Sequence, residues 1–85
     1  MFDLTQGEQT IGRRAGSDIR LEDSVVSLRH AIMRLSGEDM TIEDLHSTNG
    51  TTVNDVTVEH EVPVVPGDQI NVGGVKLAVQ ERQDH

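Results

Sequence analysis

Apolar residues in this chain come in short alternating runs, cut about every eight to twelve residues by turn formers, and no window keeps helical spacing. That rhythm confines the fold to all-β architectures with short antiparallel strands, a sandwich with Greek-key-like wiring above all. Phe2 and Leu4 alternate before a turn at Gln6-Gly7-Glu8, and Thr10-Ile11 runs into Gly12. Ile19 and Leu21 flank Arg20, and Ala31 to Leu35 with Met40 to Asp44 reads as a hairpin about Ser36-Gly37-Glu38-Asp39. Thr51 to Val53 leads to a turn at Asn54-Asp55, after which Val56 and Val58 alternate. Pro63 interrupts Val62 to Val65, which marks an edge strand or an extended connection. Pro66-Gly67-Asp68 turns the chain into Ile70 and Val72, and Gly73-Gly74 makes a tight hairpin with Val75 to Val79.

The core of such a sandwich must be aliphatic, because Phe2 is the single aromatic residue among 85. With no cysteine there is neither a disulfide staple nor a thiolate metal site, which fits a cytoplasmic protein. No stretch approaches the ~20 apolar residues that cross a bilayer, and Met1 to Gly7 lacks the pattern of a signal peptide. Direct membrane insertion is therefore not expected. The net charge of −8 lies entirely in residues 36–85, where ten acids face Lys76 and Arg82. Residues 1–35 hold five acids and five arginines, the arginines all between positions 13 and 34. That balance disfavours nucleic acid, which needs a broad basic face, yet leaves room for a local anion site.

Three groups of small polar and basic residues fall where strand gives way to loop: Gly12-Arg13, Ser27-Leu28-Arg29-His30 and Ser47-Thr48-Asn49-Gly50-Thr51. Hydroxyls, a carboxamide and a guanidinium on neighbouring loops suit a dianionic phosphate held in fixed geometry. Arg14, with nothing to pair with it, reads as an ordinary solvated arginine. Ser27 and His30 do not make a hydrolase: no Gly-x-Ser-x-Gly elbow, third member or oxyanion loop accompanies them. His30 reads instead as a brace for its loop. The four histidines show no ligand spacing and no calcium-loop pattern occurs, so neither metal nor cofactor is expected. The expectation is a binding module and not an enzyme.

Gly12-Arg13, Ser17-Asp18-Ile19, Ser27-x-x-His30-Ala31, Leu45-x-Ser47-x-Asn49-Gly50-Thr51, Val53-Asn54, Pro66-Gly67-Asp68-x-Ile70 and Gly73, in this order, resemble a forkhead-associated (FHA) domain. The resemblance covers roughly residues 2–80, and the whole chain, 1–85, is expected to be a single such domain. It implies an eleven-stranded β-sandwich whose loops at one end bind phosphothreonine in a partner protein. By position, Arg13 and Ser27 match the family's phosphate-binding arginine and serine, and Thr48 a polar contact beside the phosphothreonine. Asn49 matches the asparagine that bonds the ligand's main chain. Gly12, His30 and Gly50 fall at structural positions of the binding loops, and Arg29 and Ser47 are candidate accessory contacts to phosphate or peptide.

Three features depart from the family pattern. Leu28 stands where a basic or polar residue usually faces the phosphate, and Arg29 beside it points the other way in an extended segment. Losing one charge-assisted contact lowers the expected affinity by ~1–2 kcal/mol, about tenfold. The family usually has one further strand before the segment corresponding to Phe2–Leu4; without it, an uncovered sheet edge invites strand exchange or self-association. Asp55 occupies a place where a turn glycine is common. The first expectation is phosphothreonine-dependent docking in signalling. The alternative is a phosphate-independent scaffold or self-association module of the same fold in a signalling or secretion assembly.

Overall fold

A computed structural model describes residues 7–79. Nine strands follow one another: β1 (Gly7–Gly12), β2 (Ile19–Arg20), β3 (Ala31–Ser36), β4 (Asp39–Asp44), β5 (Thr51–Val53), β6 (Val56–Thr57), β7 (Val62–Val64), β8 (Gln69–Val72) and β9 (Val75–Ala78). They form one sheet in the order β2-β1-β3-β4-β7 and another in the order β6-β5-β8-β9. The expected Phe2–Leu4 segment lies outside the described residues.

Period-2 alternation decides which residues meet between the sheets. Gln9, Ile11, Ala31, Met33, Met40 and Ile42 turn inward from the larger sheet, and Thr51, Ile70 and Val72 from the smaller. Register stacks them: Gln9 lies opposite Met33 and Met33 opposite Ile42. Ile19, Leu21, Val26, Val58, Val64 and Val79 close the aliphatic core at its borders.

Local chemistry sets the turns. Asn54 and Asp55 both adopt left-handed backbone, φ 50° and 68°, as a two-residue hairpin turn requires. Asn54 offsets the missing glycine with its side chain: Nδ2 donates to Asp68 Oδ1 and Oδ1 accepts the Gln69 N–H, each at 2.9 Å. Pro63 sits in β7, which pairs only with β4 among the described residues, so its lack of an N–H costs no ladder bond on the open side.

Three details differ from the sequence reading. Gly7 and Glu8, read as part of a turn, open β1 and pair with Leu35 and Arg34. β1 and β2 run parallel, Ile11 opposite Ile19, within an otherwise antiparallel arrangement. Asp18 pins the start of β2 there, accepting the Thr10 N–H at 2.9 Å while its own N–H donates to the Thr10 hydroxyl. Val56 and Val58 do not share a face: β6 ends at Thr57, leaving Val56 69% exposed and Val58 buried. The loops 13–18, 21–30 and 45–50 and the Gly73-Gly74 turn are joined at one end of the sandwich by the bonds described next.

Candidate functional site

Past Gly12 the chain stays alongside the segment that leads into β3. His30 N–H donates to Ile11 O, Arg13 N–H to Ser27 O and Arg14 N–H to Leu28 O, at 2.9–3.2 Å. The approach is so close at Gly12 that a Cβ there would lie 2.2 Å from Leu28 O, so any side chain would push the two segments apart. A second close approach occurs at Gly73, where a Cβ would meet Val25 O at 2.3 Å. This brings the β8–β9 turn against the same segment.

The sequence-predicted ligands converge on Val25, Val26 and Ser27. Arg13 Nε donates to Val26 O at 3.0 Å, which orients the guanidinium and leaves both terminal nitrogens for a ligand. Ser27 Oγ accepts the Thr48 N–H at 3.0 Å, so the hydroxyl proton is left to donate elsewhere. Asn49 Nδ2 donates to Val25 O at 2.8 Å, fixing the carboxamide with its oxygen available as an acceptor. Arg13, Thr48 and Asn49 are exposed and Ser27 is half-buried. Among the described residues Arg13 has no carboxylate partner.

His30 is fully buried and holds two of the loops together. Its Nδ1 accepts the Ser27 N–H at 3.0 Å, so its Nε2 carries the proton and donates to Gly50 O at 2.7 Å. Gly50 O also accepts the Gly73 N–H, tying in the β8–β9 turn. The Ser27 hydroxyl takes no part in these histidine bonds. Both ring nitrogens face main-chain groups, an arrangement for bracing and not for proton transfer to a serine.

Ser47 and Arg29 stand apart from the converging set. The Ser47 hydroxyl donates to Asp44 Oδ1 and accepts the Gly50 N–H, so it is committed inside its own loop. Arg29 lines a separate recess with Thr10, Arg14, Gly16 and Ser17, which none of Arg13, Ser27, Thr48 or Asn49 borders. Leu28, 53% exposed, projects from the rim.

The sequence reading missed Asp44. Burial pushes its carboxyl up, but bonds from the Ser47 and Thr51 hydroxyls and the Ser47 N–H outweigh that and hold it below the usual carboxylate range. Asp44 thereby shapes the loop that presents Thr48 and Asn49. The Asp-x-x-Ser spacing of residues 44–47, a local side-chain turn, is the signal that could have found it. Among the described residues no group of histidines and carboxylates could hold a metal ion.

A guanidinium, a serine hydroxyl and a carboxamide are thus held beside one another by main-chain carbonyls and an amide. The sequence pattern of the FHA domain family matches residues 9–73. This chain belongs to the FHA domain family. It is 39% identical over 79 residues to the FHA domain-containing protein FhaA of Mycobacterium tuberculosis, covering 93% of this chain and 15% of that protein. It is 41% identical over 76 residues to the glycogen accumulation regulator GarA of Mycolicibacterium smegmatis, covering 89% of this chain and 48% of GarA. The FHA chain thus spans less than half the length of these relatives. A solved structure from a structural and functional analysis of phosphothreonine-dependent FHA domain interactions superimposes with a TM-score of 0.90 at 38% identity, covering 96% of this chain and 84% of that one. The family is one of protein-interaction modules, and no helix among the described residues is long and apolar enough to cross a membrane.

Proposed function

We propose that this FHA domain docks a Thr-phosphorylated protein, with Arg13 and Ser27 gripping the phosphate, Thr48 lining its side and Asn49 bonding the partner's main chain. The observation that carries this reading is the shared anchorage. Arg13 Nε and Asn49 Nδ2 are tethered to the carbonyls of Val26 and Val25, beside the Ser27 hydroxyl, with their remaining hydrogen-bonding groups free. Preorganised donors lose little freedom on binding, and phosphothreonine brings about −1.5 to −2 charges and three strong acceptors. The phosphothreonine-dependent interactions studied in the similar solved structure support the same role. The domain works by binding and not by catalysis, and its setting is the cytoplasm.

The test is calorimetric titration with matched peptides carrying Thr or phospho-Thr. Two charge-assisted bonds at ~1.5–3 kcal/mol each give at least a ~100-fold preference for the phosphorylated form. Equal affinity for both forms would refute the proposal.

One observation favours a second reading, a phosphate-independent scaffold: Leu28 stands exposed on the rim where the family usually offers the phosphate a basic or polar contact. That reading requires equal binding of both peptides, or none with self-association on concentration-dependent gel filtration.

A further inference from the structure

Arg14 and Arg29 meet at a recess of about 300 Å³ bordered also by Thr10, Gly16 and Ser17. Two main-chain bonds bring their loops together: the Arg13 N–H donates to Ser27 O and the Arg14 N–H to Leu28 O. The Arg13 side chain is bonded to Val26 O, whereas Arg14 borders the recess together with Arg29.

The sequence has fifteen acids and seven lysines and arginines, yet the described cations divide into those that meet a carboxylate and those that do not. Arg34 contacts three and Arg20 one. Arg14 and Arg29 are exposed and contact none among the described residues. The adjacent carboxylate, Asp18, is turned to the Thr10 N–H and hydroxyl. Two guanidinium forks around an open recess match a tetrahedral dianion better than a single carboxylate, which brings half the charge and one fewer acceptor oxygen.

We propose that the Arg14–Arg29 recess is a second anion site, which takes a second phosphoryl group carried by the same partner segment. This rests on the phosphothreonine reading of the first site. Arg14 follows Arg13 directly and Arg29 lies two residues beyond Ser27, on two loops bonded to each other, so a partner segment seated at the first site passes close to the second. The linked second contact then raises affinity through effective concentration. The acidic remainder of the surface repels a polyanion elsewhere, which confines it to these two places.

The experiment compares a phosphothreonine peptide with versions carrying phosphoserine, or Glu, at each of several spacings on either side. For at least one spacing the doubly phosphorylated peptide should bind about tenfold or more tightly than the singly phosphorylated one, with a smaller gain for Glu. Arg14→Ala should keep the affinity for the singly phosphorylated peptide and reduce that gain, and Arg14→Ala/Arg29→Ala should erase it. A gain at no spacing, or one that survives in the double variant, overturns the proposal. Inorganic phosphate is titrated separately into the Arg13→Ala protein, followed by amide chemical shifts. Saturable changes at residues 14–17 and 29 that vanish when Arg14 and Arg29 are also replaced support the site, and their absence overturns it. Failure of the singly phosphorylated peptide to bind while these shifts persist would remove the phosphothreonine reading, and with it the shared partner, but leave a free-anion site.

Discussion

Arg34 and Arg13 are the same residue put to opposite uses. On the outer face of the larger sheet, Arg34 reaches Glu8, Glu43 and Glu61 at 2.8–2.9 Å, and Thr41 joins through Glu61. Bonds to Glu8, Glu43 and Glu61 raise its pKa further above the ordinary arginine value, and every carboxylate it meets closes off a direction from which a ligand could come. Arg13 is held only by a main-chain carbonyl, which orients the guanidinium without neutralising it. Arg13 therefore keeps its charge available, as Arg34 does not.

The contrast is tested most severely by exchanging its two members. Arg13→Ala should weaken phosphopeptide binding by roughly 10- to 100-fold, the worth of a charge-assisted bond at ~1.5–3 kcal/mol. Arg34→Ala should leave that affinity within about twofold, since exposed ion pairs contribute little and this one faces away from the loops. Similar losses for the two variants in one titration series would end the distinction.

His30→Ala probes the scaffold behind Arg13. It strands the Ser27 N–H and the Nε2 contact to Gly50 O and opens a cavity, so denaturant unfolding should record a loss of about 2–3 kcal/mol. Phosphopeptide affinity should fall with it, because the loops carrying Ser27 and Asn49 lose their common brace. Unchanged affinity in a folded His30→Ala protein would show that the loops are set independently.

The smallest effect is expected from acid. Burial works against the Asp44 carboxylate, but the Ser47 and Thr51 bonds prevail and its folded pKa lies below the unfolded one. Its contribution is therefore complete above the unfolded value of about 4 and is lost as pH falls through the folded value. Melting temperature followed from pH 6 to pH 2 should drop less for Asp44→Asn than for the parent protein. Parallel curves would remove Asp44 from the loop's support.

Much of this arrangement is legible in the sequence because turn chemistry is local. Gly73-Gly74, Asn54-Asp55 and Pro66-Gly67-Asp68 each announce a reversal, and the alternating aliphatics between them select the inner face. Arg13, Thr48 and Asn49 are tied to one short segment, Val25 to Ser27, and Gly12 and His30 lie where the loops meet. What stays hidden depends on where protons and lone pairs go in three dimensions. Ser47 and Ser27 look alike as loop serines, yet one hydroxyl proton is taken by Asp44 and the other remains available. Arg29 looks like an accessory to Arg13, but it lines a recess with Arg14 that Arg13 does not border. The parallel β1–β2 pair is equally silent, since the Thr10 and Asp18 contact that creates it spans a loop.

The bond from the Thr48 amide to Ser27 Oγ gives the mouth of the domain a direction. Because that oxygen already receives a hydrogen, its own proton is left to give, as are the terminal guanidinium hydrogens of Arg13. A guest that only receives hydrogens can use both givers, while the Asn49 carboxamide oxygen beside them serves a main-chain donor. On the proposed reading, preference for an oxyanion would be set partly by a backbone amide one loop away.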